Sequence, residues 1–396
     1  MAISSTAFGT LNKAISAYTD EEYTRAKKIV STALMGSDAQ INPNGEDYIG
    51  QVRFYKPLGG YAAGGTNASE DVTGSANATV NIASQNENYG ATTNITTSVE
   101  TYVKTVRTHG ANEYQVQSVI SGQDGLAKIA RDFSETRSED EDQSIRAILS
   151  GVSDSEMATA EALIAADPTL TKYSDLFAGN AVDADPSKAF GFVASTSGTI
   201  GTGSSLTTLV DNTATTPGKR VEHIIRAMGA WSDYTPPFVY LVVGPETYLD
   251  IKISNLVDDE RVTDGNISFE TIMSGQVRLL VSRNFSAEGA PSANDALGST
   301  TTAVKTSYMM LPGSLYMSSV SVPNPVAVDR NESVGSGAGR TTAWYRWGYV
   351  MHPRGYSYAN AANQSQFATN ALYSAGDSWT RQADILNLGI LPLYHK

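Results

Sequence analysis

Apolar positions recur at helical spacing over the middle of the chain. Leu126, Ile129, Ala130 and Phe133 form one stripe, and Ile145, Ile148, Leu149 and Val152 form another. At about 100° per residue, the second stripe is displaced by roughly a quarter turn from the first. Between them lies SETRSEDEDQS, with Arg131/Glu135, Arg137/Glu141 and Asp142/Arg146 at i,i+4. The spacing predicts one long helix over 124–152, buried at both ends against different surfaces and solvated in the middle. A shorter helix is predicted near the start. Thr19-Asp20-Glu21-Glu22 has the form of a capping box, and Tyr23, Ala26, Ile29, Val30, Ala33 and Leu34 follow at three- to four-residue spacing up to Gly36.

From about 186 to 340 the pattern is α/β. Lys219 to Trp231 reads as a helix, Phe238 to Val243 as a buried strand, and Pro245 opens a further helix where proline is best tolerated. Val277 to Ser282 reads as another buried strand. In AWYRWGYVM, Ala343, Tyr345, Trp347, Tyr349 and Met351 share one face at period two. Ile385 to Leu393 reads as a closing strand.

One stretch follows neither period. LGGYAAGGTNASEDVTGSANATVNIASQNENYG, within 45–100, is dominated by Gly, Asn, Ser, Thr and Ala. It buries too little to offset its own ordering entropy. The strand-like pieces Tyr48 to Tyr55 and Thr92 to Arg107 flank it and can pair with each other. Two readings remain open: a long surface loop, or an extended hairpin ordered on a neighbouring subunit.

Composition narrows the function. The chain has 396 residues, with 28 Lys+Arg against 41 Asp+Glu, a formal charge of −13. So acidic a chain is a poor fit to a protein whose main task is gripping nucleic acid, because that binding draws on basic surface. Cysteine is absent, which excludes disulfides, thiolate metal sites and a Cys nucleophile. No signal peptide and no membrane span are expected, because no apolar run is long enough.

Candidate chemistry is sparse. His109, His223, His352 and His395 form no metal-ligand spacing. His352 precedes Pro353 at a strand end, where a structural hydrogen bond is the simpler reading. Gly218-Lys219 lacks the P-loop pattern, GTIGTGSS at 198–205 lacks the dinucleotide spacing, and no G-x-S-x-G occurs. Two acidic clusters, Glu135/Glu139/Asp140/Glu141/Asp142 and Asp258/Asp259/Glu260/Asp264, read as solvated charge runs. The sequons at Asn67, Asn77 and Asn94 carry meaning only in a secreted chain. No catalytic, cofactor or metal site is expected, and the chain is not expected to be an enzyme.

The order of several segments resembles the major capsid proteins of tailed double-stranded DNA bacteriophages. They are SYMMLPGSLYM at 307–317, Asp329-Arg330 with the Gly-rich loop after it, WGYVMHPRGYSY at 347–358 and the closing NLGILPLYHK. The helix, strand, helix, strand order over about 205–285 is similar too. The resemblance covers about residue 100 to the end.

That resemblance implies an α+β chain of the Hong-Kong-ninety-seven-type viral capsid fold. Its parts would be an N-terminal arm with a helix (1–44), an extended loop (45–105), a peripheral domain with the spine helix (106–185 and 341–396) and an axial α/β domain (186–340). It also implies self-assembly into hexamers and pentamers of an icosahedral shell, in the virion and assembled in the host cytoplasm. The shell would enclose DNA without reading its sequence. Portal, scaffolding and decoration proteins would be partners, and membranes would not. Two alternatives stand beside it: an extracellular acidic hydrolase or glycan-binding module, and a cellular nanocompartment shell of the same fold.

Overall fold

The computed structural model describes residues 35–36, 40–44, 49–55, 97–114, 125–167, 169–170, 173–177, 187–193, 238–253, 257–258, 262–264, 267–282, 305–333, 339–359, 368–383 and 388–395. The expected helices at 19–34 and 219–231 lie outside these residues, as does most of the polar stretch. Met35, placed at the end of the first helix by its spacing, belongs instead to a short strand.

In chain order the strands are β1 (Met35–Gly36), β2 (Ile49–Tyr55), β3 (Thr97–Tyr114), β4 (Phe192–Val193), β5 (Val239–Val243), β6 (Val262–Asp264), β7 (Ile267–Phe269), β8 (Thr271–Ile272) and β9 (Val277–Val281). They continue with β10 (Lys305–Met310), β11 (Leu315–Val320), β12 (Val326–Asn331), β13 (Arg340–Pro353), β14 (Tyr356–Tyr358), β15 (Trp379–Arg381) and β16 (Ile390–His395). The helices are α1 (Gly125–Ala166), α2 (Tyr173–Leu176), α3 (Pro245–Ile253) and α4 (Asn370–Tyr373), with a 3₁₀ turn at Gly376–Ser378.

Two six-stranded sheets organise these elements. The first runs β1-β11-β13-β3-β2, with β12 pairing β13 beyond the end of β11. Its axis is the antiparallel pair β3–β13, in register from Arg340↔Tyr114 to Val350↔Lys104. The second runs β4-β16-β10-β5-β9-β8. In it β5 and β9 are parallel, separated along the chain by α3. The chain passes from the second sheet to the first through Leu311–Ser314, where Gly313 takes φ 72°, a conformation that costs glycine little. The SYMMLPGSLYM segment is therefore a crossover between sheets. Strands far apart in the chain meet in these sheets: β11 and β12 pair with β13, and β16 pairs with β10.

The expected pairing of the strands flanking the polar stretch is present. β2 and β3 are antiparallel from Ile49↔Val103 to Tyr55↔Thr97, so the intervening chain leaves and returns at adjacent points. The closing strand is shorter than expected: it begins at Ile390, with Leu388 and Gly389 outside it.

Helix α1 is continuous, as its periodicity predicts, but differs from expectation in two ways. It spans 42 residues, passing Val152 to end at Ala166. Gly151, Ser153, Asp154 and Ser155 are poor helix formers, yet tertiary contacts hold them. Ser153 Oγ donates to Tyr394 Oη at 3.0 Å, and Ser155 Oγ donates to the Trp379 carbonyl at 2.8 Å. The second difference is that the polar midsection is solvated on one face only, where Glu135 and Gln143 are exposed. Ser134, Ser138, Glu141, Asp142 and Ser144 are buried against the first sheet. The aromatic residues of β13 present their polar atoms there. Arg137 donates to Tyr345 Oη at 2.9 Å, and Asp140 accepts from Trp347 Nε1 at 3.2 Å and Tyr349 Oη at 2.8 Å. The helix ends do pack on different partners. Phe133 stacks on Tyr345 with centroids 5.6 Å apart, while the other end meets α4, the 3₁₀ turn and β15.

Candidate functional site

The residues singled out for chemistry are drawn into packing. His109 meets Phe133 edge to face at 5.7 Å. His352 is fully buried, its Nε2 3.0 Å from Glu100 Oε2. Glu100 Oε1 accepts from Gly355 N at 3.0 Å, so one carboxylate joins β3 to both sides of the β13–β14 turn. His395 closes β16 opposite Lys305, and His223 lies outside the described residues.

The acidic clusters do not converge. On α1, Glu135 pairs with Arg131 in solvent at 3.6 Å, while Glu141 pairs with Arg137 at 3.2 Å and Asp140 with Arg107 at 3.4 Å. Asp258 holds the β8–β9 turn, with Oδ2 accepting from Thr271 Oγ1 at 3.0 Å and Gly275 N at 3.2 Å. The turn needs that hold, because Met273 and Ser274 adopt φ near 60°. Asp264 lies in β6, and Asp259 and Glu260 lie outside the described residues. Among the described residues, no three His, Asp or Glu side chains form a group suited to a metal ion, and no helix is long and apolar enough to cross a membrane.

A buried polar cluster that sequence reasoning missed centres on Glu156. Its Oε2 accepts from Phe190 N at 2.7 Å and Arg381 at 2.8 Å, and its Oε1 accepts from Tyr356 Oη at 3.1 Å. Arg381 also donates to the Lys188 carbonyl at 2.8 Å. Burial pushes the Glu156 carboxyl above its ordinary range, and the Arg381 charge and these hydrogen bonds offset that only in part. The cluster ties α1 to β14, β15 and the segment before β4. Ending the helix at Val152 placed Glu156 beyond it, which hid its inward direction.

Among the described residues, Tyr114, Leu249, Ile253, Val281 and Trp344 are the large hydrophobic side chains left exposed. On the first sheet, Trp344 lies directly across from Gly110, and Tyr114 sits four pairs further along the same face. A Cβ at Gly110 would meet the Trp344 ring at 2.7 Å, so only glycine admits the indole there. Arg340, Thr342 and Arg346 alternate with inward residues and so share this face. The other half of that face is covered by Ile41, packed with Val52, Tyr102 and Val350. On the second sheet's helix α3, Leu249 and Ile253 are exposed one turn apart.

No family model matches the chain, and no curated protein matches it. Solved structures do. The capsid of Ralstonia phage GP4 superposes with a TM-score of 0.52 at 10% identity, over 93% of this chain and 91% of that one. The capsid asymmetric unit of cyanophage Pam1 gives 0.46 at 11% identity, over 91% and 88%. A virus-like particle from Pyrococcus furiosus gives 0.40 at 9% identity, over 96% and 98%. The first superposition shows a shared fold. It does not favour the hydrolase or glycan-binding alternative. The chain resembles phage major capsid proteins, along nearly its whole length in fold and at only about one residue in ten in sequence.

Proposed function

We propose that the chain is a major capsid protein, many copies of which form hexameric and pentameric capsomers of an icosahedral shell around phage double-stranded DNA. The observation that supports this reading is the fold shared with the Ralstonia phage GP4 capsid over 93% of the chain. Fold alone does not assign function, and the physical features add to it. A 42-residue helix packs across the first sheet. The paired β2–β3 base points to an arm over 45–105 that becomes ordered on a neighbour. In this reading 1–44 is an N-terminal arm, 106–185 with 341–396 is the peripheral domain, and 186–340 is the axial domain.

The charge fits as well. A wall repeated many times at −13 per subunit repels DNA, which favours its packing and release over adhesion. Portal, scaffolding and decoration proteins are the partners expected in the host cytoplasm, and the virion is the final location. Electron microscopy of the purified protein, expressed alone and with a scaffolding protein, tests the reading. Closed polyhedral particles are expected. A species that stays monomeric at every concentration would overturn it.

A further inference from the structure

We propose that residues 40–44 form a releasable strap that locks strand β2 onto the first sheet, so that the strap and β2 open and close as one unit. The device lies within a single subunit and is independent of the shell function above.

The strap crosses one face of the sheet. Ile41 is the buried residue among 40–44. It packs with Val52 of β2, Tyr102 of β3 and Val350 of β13, with Tyr316 and Val320 of β11 at the margin. Register places these five on the same face: Gly50 lies opposite Tyr102, Val350 opposite Lys104, and Val320 opposite Gly348. Hydrogen bonds fasten the strap at both ends and in the middle. Gln40 Oε1 accepts from Arg53 N of β2 at 2.9 Å, and Asn44 Oδ1 accepts from Ser321 N, just past β11, at 3.0 Å. Between them Asn42 N donates to Tyr102 Oη at 3.0 Å. The strap therefore reaches from β2 to β11 across β3 and β13.

Strand β2 depends on it. It ends its sheet and has β3 as its strand partner. Val52 is the buried side chain among those described in β2, and it shares a cluster with Ile41. Gly50 adds no side chain and has to be glycine, because a Cβ would lie 2.1 Å from the Tyr102 ring, whose phenol reaches Asn42. Lifting the strap exposes Val52 and takes the acceptor from Arg53 N. Loss of β2 in turn removes part of the seat of Ile41 and the donor to Gln40. Each segment stabilises the other by the same free energy.

The unit is lightly held. The strand before the strap, β1, pairs with β11 over Met35 and Gly36 alone. By contrast, β3 and β13 are paired from Tyr114 to Lys104 and packed under α1. Segments with few buried apolar contacts open locally, at free energies below that of global unfolding. Because β2 and β3 carry the two ends of the 56–96 stretch, opening of this unit loosens the base from which that stretch departs.

Hydrogen exchange of the unassembled full chain, read at single residues, tests the coupling. In the unaltered protein the amides of Asn42 and Arg53 and the rest of β2 should exchange at matching rates, faster than those of β13. Ile41→Ala should speed exchange in both segments by about thirtyfold or more, with β13 and α1 unchanged. Tyr102→Phe keeps the ring and removes the phenol, and should speed both by about threefold or more. Exchange in β2 as slow as in β13 would overturn the proposal, as would acceleration of 40–44 alone in either variant. Equal acceleration along the whole chain, or none in either segment, would overturn it too.

Discussion

His352 Nε2 and Glu100 Oε2 lie 3.0 Å apart with no access to solvent, 252 residues apart in the chain. The pair joins the end of β13 to the first half of β3. The second carboxylate oxygen accepts from the backbone of Gly355, which turns at φ 91° between β13 and β14. The WGYVMHPRGYSY segment is thus shaped by a residue that no local motif contains.

Replacing Glu100 with Leu removes both acceptors at once. The Gly355 N–H and the imidazole are then buried without a partner, and a loss of about 3 kcal/mol is expected. Glu100→Gln keeps one carbonyl acceptor and should lose less. Urea unfolding of unassembled subunits measures both, and a Leu variant as stable as the parent would refute the arrangement.

Gly151 sits in mid-helix, where alanine is intrinsically better by roughly 1 kcal/mol. Here a Cβ would lie 2.1 Å from the Tyr373 carbonyl oxygen and 2.7 Å from the Trp379 indole. Gly151→Ala should therefore destabilise, by a net of about 1–3 kcal/mol. A gain in thermal midpoint would show that α1 does not press on α4 and β15.

The Glu156 carboxyl has its affinity for protons raised by burial. As pH falls from neutral through that raised value toward about 4.3, where the unfolded carboxyl titrates, the folded chain takes up a proton that the unfolded chain does not. Stability from this group rises over that window and is lost on return to neutral pH. Relative to Glu156→Gln, the parent should gain stability as pH falls toward the titration of the unfolded carboxyl near about 4.3. Parallel urea midpoints for the two proteins would expose the opposite slope.

Burial lifts the phenols of Tyr349, Tyr356 and Tyr394 well above the ordinary tyrosine range, with the Asp140 charge adding at Tyr349 and Glu156 at Tyr356. Unfolded tyrosines release protons near pH 10, so stability falls as pH rises past that point. In an alkaline absorbance titration these phenols should ionise only together with loss of the near-ultraviolet circular dichroism. Complete ionisation in a chain that is still folded would contradict the packing.

Local pattern determined a good part of this molecule. The stripes from Leu126 to Val152 specify a helix because side chains at three- and four-residue spacing share a face whatever they pack on. The alternation from Ala343 to Met351 specifies a strand for the same reason. Tertiary structure decided what those periods leave open. Whether SETRSEDEDQS faces water or protein depends on what lies opposite, and the polar tips of Trp347 and Tyr349, with Arg107 and Asn370, supply partners for the half-buried Asp140 and the buried Ser144. The end of α1 was set by contacts from Tyr394 and Trp379, more than 200 residues away, which outweigh the weak propensities of Ser153 and Ser155. The partition into sheets followed hydrogen-bond register, a long-range property that places β10 and β11 in different layers although four residues separate them. Spacing records the face a residue occupies, and only the folded chain supplies what that face meets.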